Sequence, residues 1–152
     1  MPRLLLISIA TMSLVCLTAC SASPASSDGQ SSLSGVHGSV TVPRFVGSSG
    51  LKPIAGDPCT AKAGYDDIAA GTQVTVKDAS GKTLAFTSLD AGTVSKKDPL
   101  NTGMYVYCEF PFTIDKLPAS AIYAVSAGGV QRGAVNFEKA DVSSHGFDIS
   151  IG

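Results

Sequence analysis

The sequence predicts an all-β fold, an antiparallel β-sandwich of about seven strands behind a signal segment and a flexible linker. Two observations carry this. From Gly35 onward apolar residues alternate with polar ones at period two, the mark of half-buried strands. The composition, rich in Gly, Ser, Thr, Val and Ala and devoid of Trp, suits short strands joined by tight turns.

The first strand is read at Val40 and Val42, with Thr41 between them, and Pro43 marks it as an edge strand. Val74 and Val76 alternate with Thr75 and Lys77, Asp78-Ala79-Ser80-Gly81 turns the chain, and Leu84 and Phe86 alternate with Thr83 and Ala85. That is a β-hairpin. The longest alternation puts Met104, Val106, Cys108, Phe110, Phe112 and Ile114 on one face and Tyr105, Tyr107, Glu109, Thr113 and Asp115 on the other. Shorter strands follow at Ile122 to Ala127 and Gly133 to Phe137, and a last one carries Phe147, Ile149 and Ile151. Helix is confined to one expected turn at Asp66 to Ala70, with Asp66 as N-cap and Gly71 where it ends. Ala91 to Gly103, holding Lys96, Lys97 and Asp98-Pro99, reads as an exposed loop.

Ahead of the strands, Arg3 precedes the uncharged apolar run Leu4 to Val15, and Leu17-Thr18-Ala19-Cys20 follows it. This resembles bacterial lipoprotein signals, in which a small-residue cut leaves a cysteine, diacylated on sulfur, as the first residue of the mature chain. The resemblance makes residues 1–19 a signal peptide and Cys20 the lipidation site. Leu4 to Ala19 is sixteen residues, short of the ~20 that cross a bilayer as a helix. Two or three acyl chains at one terminus give stable anchoring, so a lipid anchor on the extracytoplasmic face of the cell membrane is expected. Residues 20–34 form a Ser-rich tether, with seven serines among Ser21 to Ser34. As a random coil it spans on the order of 20 Å. Residues 35–152 are the sandwich domain.

Export also frames the cysteines. Cys16 leaves with the signal and Cys20 takes the lipid, so Cys59 and Cys108 remain, and an isolated pair in an oxidising compartment reads as a disulfide. The alternative, a metal pair or redox dithiol, lacks a Cys-x-x-Cys spacing. The chain holds 11 basic and 12 acidic residues. So even a balance gives no footprint for nucleic acid and no polybasic patch for anionic lipid.

Gly71-Thr72-Gln73-Val74-Thr75-Val76-Lys77-Asp78-Ala79-Ser80-Gly81-Lys82-Thr83-Leu84 resembles the opening of prealbumin-like, carboxypeptidase-regulatory-type sandwiches. Phe110-Pro111-Phe112-Thr113-Ile114, Leu117-Pro118 and Tyr123-Ala124-Val125 resemble their later strands. These motifs are turns and core positions, and they imply fold rather than function. A second set, Cys59 with Gly64-Tyr65-x-Asp67-Ile68, then Cys108-x-Phe110-x-Phe112, then Arg132-Gly133-x-Val135-x-Phe137, is similar to small exported proteins and lipoproteins of actinobacteria. That resemblance implies no assigned activity.

Candidate chemistry is sparse. A hydrolase needs a nucleophile, a base and an orienting group. The two histidines read as His37 near the tether and His145 in a Ser-Ser-His-Gly turn, and no Gly-x-Ser-x-Gly elbow exists. Asp57, Asp66 and Asp67 match no calcium-loop spacing and read as turn residues, nor does a tryptophan-rich sugar platform accompany any carboxylate pair. No catalytic residue, cofactor or metal is expected. Tyr105 and Tyr107 are the best hint of a contact surface, since tyrosine offers apolar area with a polar tip. The sequence therefore favours a non-enzymatic, membrane-tethered module that binds a protein or cell-envelope component. A small-ligand carrier with a cavity between the sheets is the second expectation and an envelope hydrolase the third.

Overall fold

The computed structural model describes residues 31–44, 53–96 and 107–152. Its strands are β1 (Ser32–Pro43), β2 (Gln73–Asp78), β3 (Thr83–Ser88), β4 (Thr93–Val94), β5 (Tyr107–Pro118), β6 (Ile122–Ala127), β7 (Val135–Glu138) and β8 (Phe147–Ser150), with one helix, α1 (Lys139–His145). They form two sheets of four, ordered β4-β5-β1-β8 and β3-β2-β6-β7, with β1 and β8 parallel and the other pairs antiparallel. The expected all-β sandwich is thus present, with eight strands among the described residues.

The core sits between the sheets. Val40, Val42, Cys108, Phe110, Phe112 and Ile149 from the first sheet meet Val74, Val76, Tyr123 and Val125 from the second, and all are buried. Phe147 organises the aromatic centre, stacked on Phe112 at 6.2 Å and edge-on to Tyr123 and Phe137 at 6.0 and 5.2 Å. Offset and T-shaped contacts of this kind stabilise by about 0.5–1.5 kcal/mol beyond area burial. Tyr123 tolerates full burial because its hydroxyl accepts from Ser120 N at 3.0 Å and donates to Pro118 O at 3.3 Å. Two glycines make room for the phenylalanines of β5. A Cβ on Gly38 would fall 2.3 Å from Phe112 Cζ, and one on Gly92 would fall 2.4 Å from Phe110 Cε1.

Four expectations are corrected. β1 is an interior strand between β5 and β8 rather than an edge. Pro43 fits there because β8 stops pairing opposite Thr41, and the segment that follows on that side needs only the proline's carbonyl, which accepts from Lys62 N at 2.8 Å. β1 also begins at Ser32, inside the span read as tether, because Ser32, Leu33 and Ser34 pair with Pro118, Leu117 and Lys116 at the end of an unusually long β5. The segment Asp66 to Ala70 forms turns, not helix, and Asp66 accepts from Gly64 N at 3.0 Å instead of capping. The loop read at Ala91 to Gly103 contains β4, which pairs with Cys108 and Glu109.

Helix α1 was not expected. Seven residues cannot hold a helix in isolation, so α1 depends on buried Val142 and on its capping Gly146, whose N–H reaches Val142 O at 3.0 Å. Gly146 has φ +73° and lies against β1, where a Cβ would come within 2.1 Å of His37 O. Only glycine meets both conditions. The helix carries the chain from β7 in one sheet to β8 in the other.

The disulfide joins Cys59 to Cys108 with Cα atoms 5.7 Å apart. Cys108 is fully buried and Cys59 half-buried. The 56–59 segment runs beside β4, through Gly56 N to Val94 O at 2.9 Å and Cys59 N to Gly92 O at 3.0 Å, and this places Cys59 next to β5.

Candidate functional site: an open sheet face

The second sheet turns one face to the core and leaves the other uncovered by any described strand or helix. Val74, Val76, Tyr123 and Val125 point inward, so Thr75, Lys77, Ala124 and Ser126 point outward. Phe86 shares that outer face because it pairs across from Thr75, which pairs in turn with Ser126. Phe86 is 74% exposed, although strict alternation through Leu84 would make it a core residue. A bulge explains the reversal. The register shifts between Val76 and Lys77, which pair with Ala85 and Thr83 and leave Leu84 as the extra residue. One inserted residue exchanges the two faces of everything beyond it.

Gln73, Thr75, Lys77, Ala124 and Ser126 line a cleft of about 470 Å³, walled on one side by the turn from Gly128 to Ala134. That turn contains a single 3-10 turn at Val130–Arg132, and Val130 at its start is 99% exposed. Two exposed apolar side chains therefore share this face, Val130 in the cleft wall and Phe86 on β3 across from Thr75.

The position of Val130 is set by Asp67. Oδ2 of Asp67 accepts from Gly129 N and from Arg132 Nε, both at 2.7 Å, and Oδ1 accepts from Arg132 Nη2 at 2.5 Å. Arg132 Nη2 also donates to Gly64 O at 2.7 Å, and the guanidinium lies over the Tyr65 ring at 4.8 Å. A bidentate arginine–carboxylate pair fixes direction as well as distance. The Arg132 hydrogen bonds and the Gly129 N–H hold the Asp67 carboxyl well below the usual carboxylate range, against the opposing effect of desolvation. Gly128 has to be glycine in this arrangement, since a Cβ would lie 2.5 Å from Asp67 Oδ2 at a φ of +78°. Tyr65, Asp67 and Arg132 come from two separate motifs of the sequence and converge here.

The other residues singled out in the sequence are placed as follows. Cys20 and Tyr105 lie outside the described residues. Tyr107 starts β5 opposite Pro43 and is half-buried, on the sheet opposite the one that bears Phe86. Asp57 accepts from Ile54 N at 3.3 Å.

His145 ends α1 instead of lying in a plain turn, and it shares a cleft of about 310 Å³ with His37. Its Nδ1 lies 2.8 Å from Ser144 Oγ, the histidine–serine proximity a hydrolase would need. The same hydroxyl also reaches Ala140 O at 2.9 Å and Asp141 O at 3.2 Å, the back-bonding to the preceding turn that helical serines make. A third cleft, of about 440 Å³, opens beside Cys59 with Ile68 and Phe110 in its lining. No helix among the described residues is long and apolar enough to cross a membrane. No protein family, curated protein or solved structure matches the chain.

Proposed function

We propose that the chain is a lipid-anchored, extracytoplasmic binding module without catalytic activity, which engages a protein or cell-envelope partner through the outer face of the second sheet. The observation that carries the reading is the exposure of two apolar side chains on one sheet face, Val130 in the lining of the cleft and Phe86 paired across from Thr75 of that lining. A large aromatic held in water on a rigid strand is a characteristic anchor of protein interfaces. The Asp67–Arg132 pair favours the same reading, because a loop fixed before binding loses little conformational freedom on binding. The anchor rests on Arg3, the apolar run after it and Leu17-Thr18-Ala19-Cys20.

The test is photocrosslinking in cells, with a photoreactive side chain at position 86 or 130 and, for comparison, at Asp115 on the exposed side of β5. Positions 86 and 130 are expected to give the same discrete adduct, and position 115 none. Equal labelling from all three positions contradicts the proposal.

The cleft beside Cys59 favours a second reading, a carrier of a small apolar ligand, since its volume suits one. Native mass spectrometry of the protein extracted from membranes would then show a co-purified mass.

A further inference from the structure

The place where the chain enters the domain decides which end of the sandwich can face a membrane. β1 begins at Ser32, which pairs with Pro118, and Ser31 O accepts from Ala119 N at 3.0 Å. The 119–121 turn between β5 and β6 is therefore at this end. So is the 78–82 hairpin turn, because Asp78 pairs with Tyr123 near the start of β6. The Val130 turn lies at the opposite end, where β6 delivers the chain after running the length of its sheet. A Cβ on Gly152 would lie 3.3 Å from Pro43 Cγ and 3.9 Å from Tyr65 Oη, and the Arg132 guanidinium lies over the Tyr65 ring at 4.8 Å. The last residue of β1 and the Val130 turn thus share one end. Between the two ends runs β1, whose 12 residues cover about 36 Å at the rise of a strand.

Cys20 stands twelve residues ahead of Ser32. Whatever path those residues take, they reach at most ~40 Å. Turning the Val130 end toward the bilayer would raise Ser32 by about the length of the domain, which leaves the connection almost fully extended and costs its conformational entropy. Standing on the Ser32 end carries no such cost. Lying with the open sheet face against lipid gains little, since Lys77 is the one charged residue among the described residues that line its cleft, and attraction to anionic lipid takes a basic cluster. The exposed aromatic Phe86 beside Val130 is instead the chemistry of a protein interface.

We propose that the domain stands on its bilayer with the 78–82 and 119–121 turns lowermost and the Val130 turn uppermost, an inference that rests on the Cys20 anchor and the docking face put forward above. The occupant of the open face is then a protein surface that reaches it from beyond the headgroup layer. The bilayer itself does not cover it. The side-chain pair of Asp67 and Arg132 holds the turn that lies farthest from the membrane, where a rigid rim is presented to a partner arriving from the aqueous side.

The test uses the mature protein extracted from membranes with its lipid and returned to vesicles whose headgroups include a nickel chelate. A nitroxide is attached at Ala79→Cys or at Gln131→Cys, both exposed positions in the two opposed turns. Power saturation is expected to show strong relaxation by surface nickel at position 79 and, at position 131, the value found in vesicles without nickel. Equal relaxation at the two positions, or the stronger effect at 131, in protein whose intact mass shows the acyl chains overturns the orientation and leaves the anchor standing. Protein that carries no acyl chain and stays off the vesicles overturns both. Adding Phe86→Asp and Val130→Asp together is expected to leave the relaxation at 79 unchanged. A changed value would make the bilayer the occupant of the face and overturn the proposal.

Discussion

Arg132 reaches Asp67 across 65 residues of sequence and closes on it with two hydrogen bonds, tying the 64–68 turn to the turn that displays Val130. The pair is only partly buried, with side-chain exposures of 18% for Arg132 and 35% for Asp67. Solvent therefore screens it, and its value lies in fixing one loop more than in overall stability.

Arg132→Ala is accordingly expected to lower global stability by only about 1 kcal/mol, which for a domain of this size moves Tm by roughly 4 °C. Amide exchange at Gly129 to Gly133 should accelerate well beyond that in the strands. Arg132→Lys should not restore protection, because an ammonium cannot make the bidentate contact. Uniform change across the domain would show that the pair does not act locally.

The same pair sets an acid limit. The Asp67 pKa is depressed in the folded state, so its contribution is complete above the ordinary aspartate value of about 3.9 and is lost as pH falls below it. Urea unfolding at pH 7 and at pH 3 should show a smaller Asp67→Asn effect at the lower pH. An effect that grows on acidification would contradict the assignment.

Gly146→Ala combines a positive φ with backbone contact at His37 O. It should destabilise by more than the ~1 kcal/mol of an ordinary glycine-to-alanine strain, because the neighbour is main chain and cannot rotate away. Gly81→Ala, at φ +85° but with nothing within 4 Å, isolates the conformational part alone. Comparable losses at the two sites, measured by chemical denaturation, would refute the packing argument.

Cys108→Ala removes a crosslink between residues 49 apart and leaves a cavity at a fully buried position. The chain-entropy model assigns roughly 4 kcal/mol to a ring of that size, a large share of the 5–15 kcal/mol typical of a domain. Thermal melting of the oxidised protein against this variant is the measurement, and a shift of only a degree or two would mean the bond adds little.

Much of the fold was legible because strand alternation is a direct record of burial. Cys108, Phe110, Phe112 and Ile114 are all buried as their spacing implied, and the hairpin turn forms with Asp78 Oδ1 accepting from Ser80 N and Lys82 N at 2.9 and 3.0 Å. What alternation cannot show is a change of phase. The bulge at Leu84 takes Phe86 off the face it would share with Leu84 under strict alternation and makes it the most exposed aromatic of the open face, and no residue at that point announces it. Nor could local pattern reveal α1, whose two turns are held by Val142 and the sandwich end it covers. The Asp67–Arg132 contact left a trace in the two short motifs that contain it, but their proximity exists only in three dimensions.

The proposed docking face for the partner lies between Phe86 and Val130. A photoreactive side chain at Ser126, in the lining of its cleft, reports contact there without altering either of them. In cells the adduct from position 126 is expected to fall at least about tenfold when Phe86→Asp is added, corresponding to a loss of roughly 1.4 kcal/mol or more, with the amount of folded, membrane-bound protein unchanged. An adduct of undiminished intensity in that double variant would show that the face is not where the partner binds.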